Sequence, residues 1–329
     1  MKKTVSLKDI AAKVGVSTAL VSYVLNGKME GRISKEVAAR IKAVAKELNY
    51  RPNQIAKSLK TNRTYTLGLL LADIANPFSS QIARIIENEA NKLGYTVIIG
   101  SSDEQVEKSR SLIDLFLNRQ VDGLILSLPE GADELVADLK ERDIPFVLLD
   151  RYFPDIPCNT VAIDNYSAAK VAVKHLLDNG VSKIGIINYE TSLVHLNERL
   201  RGAVELCNGN EMVGLVRLGH IKEDVEAAIQ RFLENEVEGI FFMSNLLAIS
   251  GLKYLNAQKV DIPGELAVIA FDKTDAFDLF YTTVTYVDQP LGELGAEAVR
   301  LLNESILGKG NNKTVYLNAE LVKQHSTAP

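Results

Sequence analysis

After residue 65 the chain alternates short apolar runs with longer segments whose apolar residues recur at helical spacing. The short runs fit buried strands and the longer segments fit amphipathic helices, so the alternation predicts parallel sheets with right-handed crossovers. Two such sets follow one another, which predicts an α/β body of two lobes. The predicted strands are 67–72, 96–100, 123–127 and 146–150, then 184–188, 215–219, 240–243 and 267–271. The predicted helices are about 78–93, 105–119 and 131–142, then about 165–180, 193–207, 222–235 and 245–257.

The N-terminal part has a different pattern, in which three short helices each present one apolar stripe. Ser6 with Asp9 forms a capping box before the first helix, and Gly15 permits the left-handed backbone that ends it. Ser17 caps the second helix and Ser34 caps the third. Two short helices joined at a glycine are typical of a helix-turn-helix, whose second helix enters the major groove of DNA. The stripes are formed by Leu7, Ile10, Ala11 and Val14, by Leu20, Val21, Val24 and Leu25, and by Val37, Ile41, Val44 and Leu48.

The polar face of the second helix carries the predicted DNA contacts. Thr18, Ala19 and Tyr23 lie away from the apolar stripe, and we expect them to contact base edges. Phosphate contacts, which position a protein without selecting sequence, are expected from Ser17, Ser22 and Asn26. The alternative is that all six residues are solvated surface and helix caps. For Ser17, capping is part of the role in either case.

The next segment can form a short, separate helix. A proline interrupts the third helix, and Asn53 can cap a helix of barely two turns, too short to be stable without a partner. Ala56 allows close helix approach, and Leu59 is an apolar tip near Lys57. An apolar wedge among cations suits insertion at a minor-groove base step, which kinks the duplex. A flexible basic linker with an incidental leucine explains the same residues equally well.

The charge of the chain is divided unevenly. Residues 1–60 contain 13 Lys and Arg against 4 Asp and Glu, whereas residues 61–329 contain 24 against 38. The two net charges are therefore +9 and −14, which the whole-chain value of −5 hides. A small basic head on a large acidic body indicates a DNA-binding module attached to a sensing domain. The length of 329 residues fits two or three domains better than one.

Composition argues against several classes of site and location. The chain has no apolar run near the length of a membrane span, and no apolar h-region follows the basic residues at its N-terminus. Its two cysteines cannot form a disulfide framework, and no Cys/His metal spacing occurs. We therefore expect a cytoplasmic protein with reduced thiols, no membrane contact, no bound metal and no cofactor.

Polar side chains collect near the carboxyl ends of the predicted strands, where open α/β sheets bind ligands. Arg151, Asn245 and Asp272 follow strands closely, and Arg199 lies early in a helix beside the same face. The pattern indicates binding rather than catalysis, because the sequence holds no phosphate-binding loop and no nucleophile elbow. Helix capping is the alternative role for the aspartates and asparagines, and it explains Asp164 at least as well as ligand contact.

Several phrases of the N-terminal part occur together in one known family. They are Leu7-Lys8-Asp9-Ile10-Ala11, Val16-Ser17, Val21-Ser22, Val24-Leu25-Asn26, Leu48-Asn49-Tyr50-Arg51-Pro52-Asn53 and Ala56-Lys57-Ser58-Leu59. With them, residues 5–60 resemble the DNA-binding head and hinge of the LacI-type family, which includes the lactose and purine repressors. The resemblance implies that Leu59 is the wedge and that the positions of Thr18, Ala19 and Tyr23 contact bases. Leu20 departs from the family, which usually has threonine there.

The body resembles the same family over its full length. The shared phrases include Asn76-Pro77-Phe78, Val121-Asp122-Gly123-Leu124-Ile125, Asp150-Arg151, Asp164-Asn165, Arg199-Leu200, Phe271-Asp272 and Gln289-Pro290. The resemblance implies a periplasmic-binding-protein-like fold with an effector between the lobes. It also implies that Arg199, Asn245 and Asp272 bind sugar hydroxyls and that Phe78 forms an aromatic wall.

Two positions of the body depart from the family pattern. Leu246 follows Asn245, where an Asn-Asp pair is usual, so either a polar anchor for the ligand or a polar group that supports one is lost. Leu193 stands where the purine-binding member has an arginine, which argues against a nucleobase effector.

Together these features predict a homodimeric transcriptional regulator, most simply a repressor, that is not an enzyme. Two heads bind the halves of a pseudo-palindromic operator in double-stranded DNA, and paired hinge helices bend its centre. A small-molecule effector, which we interpret as a sugar, changes the orientation of the lobes and so the affinity for DNA. The expected effector contacts are Phe78, Arg151, Asp164, Arg199, Asn245 and Asp272. The expected domains are a head at 1–51, a hinge helix and linker at 52–64, and an effector-binding and dimerisation domain at 65–329.

Within that last domain we expect an N-lobe at about 65–162 and 291–313 and a C-lobe at about 163–290 and 314–329. Two competing functions share parts of this description. A solute-binding protein would have the same body, but it should carry a signal peptide and no basic head. An α/β enzyme with a fused regulatory head would need a nucleophile with its base, or a phosphate loop.

Overall fold

The computed structural model describes residues 5–26, 32–50, 63–310 and 312–327. Its contacts divide the chain into two compact units, Met1–Thr64 and Tyr65–Pro329. The first unit is helical where it is described, and the second is an α/β body.

In the described residues, the first unit folds into the three predicted helices α1 (Leu7–Val14), α2 (Thr18–Leu25) and α3 (Lys35–Glu47). The capping box at Ser6 is confirmed, and Gly15 ends α1 with φ of 79°. Apolar side chains from all three helices meet in one small core, centred on the fully buried Ile10, Val21 and Ile41. Ser34 lies at the expected N-cap of α3, but its hydroxyl makes no capping hydrogen bond there, so that part of the prediction was wrong.

The body contains two parallel sheets of six strands each in its described part, with one antiparallel edge pairing in the second. The first lobe uses β1 (Thr66–Leu71), β2 (Thr96–Ser101), β3 (Gly123–Leu126), β4 (Phe146–Leu149), β5 (Thr160–Ile163) and β11 (Thr314–Leu317). The second lobe uses β6 (Ile184–Tyr189), β7 (Glu211–Val216), β8 (Gly239–Phe242), β9 (Ala267–Phe271), β10 (Thr285–Asp288) and β12 (Glu320–Val322). The first sheet has the order β11-β5-β4-β3-β1-β2 and the second has β12-β10-β9-β8-β6-β7. Five strands of each sheet therefore follow the same order, so the second lobe repeats the topology of the first.

Amphipathic helices connect these strands and cover the sheets, as the alternating pattern predicts. Those of the first lobe are α4 (Pro77–Lys92), α5 (Val106–Asn118), α6 (Asp133–Glu141) and α12 (Leu291–Ile306). Those of the second lobe are α7 (Asn165–Asp178), α8 (Val194–Cys207), α9 (Ile221–Glu234), α10 (Asn245–Ala257) and the short α11 (Ala276–Leu279). Helices α7 and α8 pack closely because Gly202 has no side chain; a Cβ there would lie 2.2 Å from the Tyr166 carbonyl oxygen.

One strand prediction was wrong. The run 215–219 was expected to form a strand, but β7 begins four residues earlier at Glu211, and Leu218–His220 form a 3-10 turn. Strand β7 lies at the edge of its sheet and is buried on one face only. Glu211 and Gly214 interrupt its apolar residues, so the strand does not form one continuous apolar run.

The predicted lobe boundary near residue 314 also needs correction. Strand β11 pairs with β5 in parallel, from Thr314 opposite Thr160 to Leu317 opposite Ile163, so residues 314–317 belong to the first lobe. Strand β12 pairs with β10 in the second sheet. The last crossing between the lobes therefore follows Leu317, in the two residues before β12.

In the described residues the chain passes between the lobes at three places: from β5 to α7, from β10 to α12, and from β11 to β12. One continuous cluster of buried apolar residues runs through both lobes and includes Leu69 and Ile125 of the first and Ile186 and Phe271 of the second. Three connections and a shared core hold the lobes beside one another, with the carboxyl ends of their strands bordering a common space.

Candidate functional site

A cavity of about 510 Å³ lies between the two lobes of the body. Its walls are formed by residues at or just after the carboxyl ends of the strands, including Asp73 after β1, Ser127 after β3, Tyr189 at the end of β6 and Ser244 after β8. This is the ligand-binding edge of open α/β sheets, and the volume lies within the range of small-molecule sites.

Asp150 and Asp272 occupy equivalent places in the two lobes. Each follows the fourth strand of its lobe in a left-handed backbone conformation, with φ of 65° and 69°. Each amide donates to a carbonyl of the next strand, Asp150 to Val161 at 2.8 Å and Asp272 to Val287 at 3.0 Å. Aspartate tolerates this conformation better than most residues. The repeated topology thus places one buried carboxylate from each lobe on the cavity wall.

Arg199 of α8 is fixed on the wall by several contacts. Its Nε donates to the Asn165 side-chain oxygen at 2.7 Å, and its Nη1 donates to the Met243 carbonyl oxygen at 2.9 Å. The same Nη1 lies 3.7 Å from a carboxylate oxygen of Asp272. The guanidinium also stacks on the Phe271 ring, 3.6 Å from its centroid. A charge held this way is preorganised, because few of its conformations remain to be lost on binding.

Arg151 is held by a bidentate ion pair with Glu104 inside the first lobe. Its Nη1 and Nη2 donate to the two carboxylate oxygens of Glu104 at 2.6 and 2.7 Å, and Nη1 also donates to the Leu128 carbonyl oxygen at 3.3 Å. Burial opposes the charge of Arg151, but the Glu104 partner outweighs it and raises the arginine pKa. The positive charge of Arg151 is therefore already matched within the protein.

Burial shifts the ionisation of Asp150 and His195, which face each other across 3.9 Å from Oδ2 to Nε2. It raises the pKa of Asp150 to about 6, against the opposing effect of Arg199 and Arg151. It lowers the pKa of His195, and the same two arginines lower it further, so the imidazole is neutral at neutral pH. Three atoms on the wall find no hydrogen-bond partner among the described residues: Oδ1 of Asp150, Nδ1 of His195 and Oε1 of Gln289.

Two contacts join the lobes across the cavity. At its rim, the Glu130 carboxylate accepts hydrogen bonds from the Thr191 hydroxyl at 2.7 Å and the Ser192 amide at 2.9 Å. Burial alone would raise the pKa of Glu130, but these hydrogen bonds lower it overall. Deeper in the fold, the Asn245 amide donates to the side-chain oxygen of Asn76 at 3.3 Å. Both contacts require the lobes to be close together.

Four of the six predicted effector residues line the cavity: Phe78, Arg151, Arg199 and Asp272. The other two do not. Asp164 caps α7 by accepting a hydrogen bond from the Ser167 amide at 3.0 Å. Asn245 is fully buried, and its neighbours on either side, Ser244 and Leu246, line the wall in its place. The Asp164 carboxylate therefore serves as a helix cap and the Asn245 amide as an interlobe contact, and ligand contact at these two positions stays a prediction.

Sequence reasoning missed several polar residues of the wall, among them Glu104, Glu130, His195 and Gln289. Gln289 lies in a phrase shared with the family, which could have identified it. A single histidine inside a helix and glutamates in loops carry no signal of their own, because only the fold brings them to the cavity.

In the helical unit, α2 presents the predicted base contacts to solvent. Thr18 and Ala19 are exposed, and Tyr23 keeps 40% of its surface accessible although it is aromatic. The Ser17 hydroxyl accepts from the Leu20 amide at 3.2 Å, so capping is one of its roles. The Asn26 side chain donates to the Ser22 carbonyl oxygen at 2.7 Å. The remaining predicted contacts lie outside the described residues: Asn53, Ala56, Lys57 and Leu59.

Among residues 5–26, 32–50, 63–310 and 312–327, no group of three or more His, Cys, Asp or Glu side chains is arranged to hold a metal ion. Nor does any helix of those residues combine the length and apolar character that a bilayer crossing requires.

The fold and the cavity define a class of protein: a helix-turn-helix unit followed in the same chain by a two-lobed ligand-binding body. Two family models match in the same order, "Bacterial regulatory proteins, lacI family" over residues 6–53 and "Periplasmic binding protein-like domain" over residues 173–327. The ribose operon repressor of Halalkalibacterium halodurans is 33% identical over 308 residues, covering 92% of this chain and 90% of that protein. The repressor CytR of Escherichia coli is 30% identical over 330 residues, covering 98% and 96%.

Solved structures show the same architecture. A lac repressor dimer bound to operator and the anti-inducer ONPF matches with a TM-score of 0.85 at 22% identity, covering 99% of this chain and 100% of that one. A complex of the regulator CelR with cellobiose matches with a TM-score of 0.72 at 25% identity, covering 98% and 99%. The chain belongs to the lacI family of bacterial regulatory proteins. It is a DNA-binding transcriptional regulator with a periplasmic-binding-protein-like effector domain.

Proposed function

We propose that this regulator is a homodimeric, non-catalytic repressor of the cytoplasm whose affinity for a pseudo-palindromic operator is controlled by a sugar bound between the lobes. The observation that carries the proposal is the interlobe cavity, whose wall combines Arg199, Asp272 and Asp150 with the aromatic Phe78. Charged and amide groups pair with vicinal hydroxyls, and an aromatic face covers the apolar face of a sugar ring. The relative named for the ribose operon and the structure with cellobiose agree with this class of ligand.

The position of the cavity also explains how a ligand could control the protein. Its walls come from both lobes, and the Glu130 and Asn245 contacts form only when the lobes approach each other. A ligand that touches both walls therefore stabilises one relative orientation of the lobes, and a ligand shifts an equilibrium by its difference in affinity for the two states. In our proposal that orientation sets the spacing of the hinges at 52–64 in the dimer.

DNA recognition is assigned in the proposal to two groups of residues. Thr18, Ala19 and Tyr23 on α2 contact bases, because they are small or aromatic groups exposed on the second helix of a helix-turn-helix. Phosphates are bound by Ser17, Ser22 and Asn26, and the minor groove is contacted by Asn53, Ala56, Lys57 and Leu59 of the hinge. The domain division into a head at 1–51, a hinge at 52–64 and a body at 65–329 is part of the same proposal.

The test begins by selecting DNA that binds the full-length protein from a random duplex pool. We expect the selected sequences to share a pseudo-palindrome with two half-sites. Fluorescence anisotropy then measures the affinity for that DNA in the presence of single sugars, sugar phosphates and nucleosides. One sugar should change the affinity by roughly 5–150-fold, the usual range of allosteric coupling. Selected DNA without symmetry would contradict the dimer, and no response to any compound would contradict effector control.

A further inference from the structure

We propose that the cavity selects an uncharged, hydroxyl-rich effector and rejects ligands that carry a phosphate or a carboxylate. This inference rests on the proposed function, because it specifies the chemistry of the effector bound at the same site. Two independent features of the wall carry it: the balance of charge and the kind of polar atom left without a partner.

Both cations of the wall are already matched by the protein. Seven carboxylate side chains line the cavity, against two guanidinium groups. Arg151 gives its two terminal nitrogens to Glu104, and Arg199 is held by Asn165, a main-chain carbonyl and the nearby Asp272. An incoming anion would therefore have to compete with Glu104 for Arg151 and with Asp272 for Arg199.

The remaining carboxylates make an anion still less favourable. In the described part of the chain, Asp73, Glu130, Asp150 and Glu190 of the wall form no ion pair with a lysine or arginine. Asp103 at the wall pairs with Lys108. A phosphate or carboxylate bound here would meet like charges, and the repulsion is screened least near the buried Asp150 and Asp272.

Two of the unpartnered atoms of the wall are oxygens that need hydrogen-bond donors. The amide nitrogen of Gln289 donates to Asp272 at 2.5 Å, which fixes the amide so that Oε1, a pure acceptor, remains without a partner. Oδ1 of Asp150 is the second such acceptor, and both side chains are at least nine-tenths buried. Sugar hydroxyls can donate to these two oxygens, whereas an ionised carboxylate or a phosphate dianion has no hydrogen to give.

The direct test is a calorimetric titration of the full-length protein with matched compounds. The panel pairs ribose with ribose 5-phosphate and sets glucose and galactose beside their 6-phosphates and uronates; it adds xylose, cellobiose, uncharged polyols and inorganic phosphate. We expect at least one uncharged member to bind and its anionic counterparts to bind about 100-fold more weakly, since their charge would be buried without a compensating partner. The proposal is overturned if an anion binds as tightly as its parent sugar, if inorganic phosphate binds, or if no uncharged member binds.

Variants separate the two features of the wall. Gln289→Met removes the unpartnered acceptor at similar volume and should weaken the uncharged ligand by about tenfold. Glu104→Gln releases the charge of Arg151 and should raise the affinity for the anionic counterpart, relative to the parent sugar, by about tenfold. Glu211→Gln is the matched control: its carboxylate also has a buried oxygen without a described partner, but it lies at the start of β7 and not on the wall.

Operator binding in the same samples keeps the two proposals apart. An uncharged sugar that binds without changing operator affinity would support the selectivity and contradict the proposed function. An anion that binds tightly and changes operator affinity would contradict the selectivity and support the proposed control by an effector. An unchanged ratio of anion to sugar affinity in Glu104→Gln would overturn the role of the matched arginine.

Discussion

Asp150 is a cavity residue whose ionisation is disturbed by burial in the fold. Its pKa is raised by burial to about 6, whereas an unfolded aspartate titrates near 3.8. Between these values the folded state holds a proton that the unfolded state has lost. The free energy of unfolding therefore decreases as the pH rises from about 4 to about 6. Above that pH, the buried charge of Asp150 lowers the free energy of unfolding by at most about 3 kcal/mol relative to its value below pH 4.

Asp150→Asn should remove this dependence. Asparagine tolerates the left-handed backbone at this position and carries no charge, so the variant should be more stable than the parent at pH 7.5 by up to about 3 kcal/mol. Below about pH 4 the advantage should disappear, because the aspartate is then protonated in both states. Urea unfolding of the effector-free protein at four pH values measures the difference. A difference that is constant with pH would contradict the buried ionisation.

Asp272 is predicted to bind the effector and to have no direct part in DNA contact. Asp272→Asn keeps the shape and tolerates the φ of 69°, but it removes the carboxylate beside Arg199. Losing a charged hydrogen-bond acceptor should weaken the effector by roughly tenfold or more, while effector-free operator affinity stays unchanged. Calorimetry and fluorescence anisotropy measure the two affinities. If the operator affinity falls together with the effector affinity and the circular dichroism signal, the residue is structural.

Tyr23 is the residue of α2 for which DNA contact is the most specific expectation, because 40% of this aromatic side chain is exposed. Tyr23→Ala should weaken binding to the selected operator by about 1–3 kcal/mol, the usual worth of a base contact, and should affect random DNA much less. Tyr316→Ala is the control, since that tyrosine of the body is 53% exposed. Equal loss on both kinds of DNA would assign Tyr23 to the phosphate backbone.

At the scale of elements, the strongly periodic segments were predictable and the edges were not. Strand β9 and helix α10 were predicted with the bounds that the structure has, because an uninterrupted apolar run and a regular stripe leave little choice. Strand β7 was misplaced because it is an edge strand, and β11 could not be assigned to the first sheet because its pairing with β5 joins residues about 150 positions apart. The residues of the site were also only partly predictable. Arg199 and Asp272 could be chosen from the sequence, whereas His195 could not.

The contact between the lobes at the rim of the cavity joins two loops and can be tested separately. Glu130, in the loop after β3, accepts hydrogen bonds from Thr191 and Ser192 in the loop after β6. Because the contact is partly exposed, Glu130→Gln should weaken effector binding only by roughly twofold to fivefold. Thr191→Val should have a similar effect, and the double variant should be less than additive, since both changes remove one interaction. Calorimetric titration of the three variants measures this, and full additivity would contradict a shared contact.

At the scale of the whole molecule, the proposal connects a cavity in the body to DNA contacts made elsewhere in the chain. The hinge residues lie outside the described part of the structure, so Leu59→Ala tests their role directly. Removal of the apolar wedge should reduce both the operator affinity and the bend of the operator. The energy cost of bending DNA with such a wedge is offset by the additional contacts that the bent DNA makes with the protein. Fluorescence energy transfer between the ends of a labelled operator measures the bend. A bend and an affinity that both survive would remove the wedge from the mechanism.

The central claim is that effector and operator binding are coupled through one protein, and thermodynamic linkage gives it a quantitative test. The effector affinity is measured by calorimetry on the free protein and again on the protein saturated with operator. If the effector changes operator affinity by a given factor, the operator must change effector affinity by the same factor, which we expect to lie at roughly 5–150. The two factors should agree. An effector that binds with equal affinity with and without operator would contradict the account, whatever its contacts in the cavity.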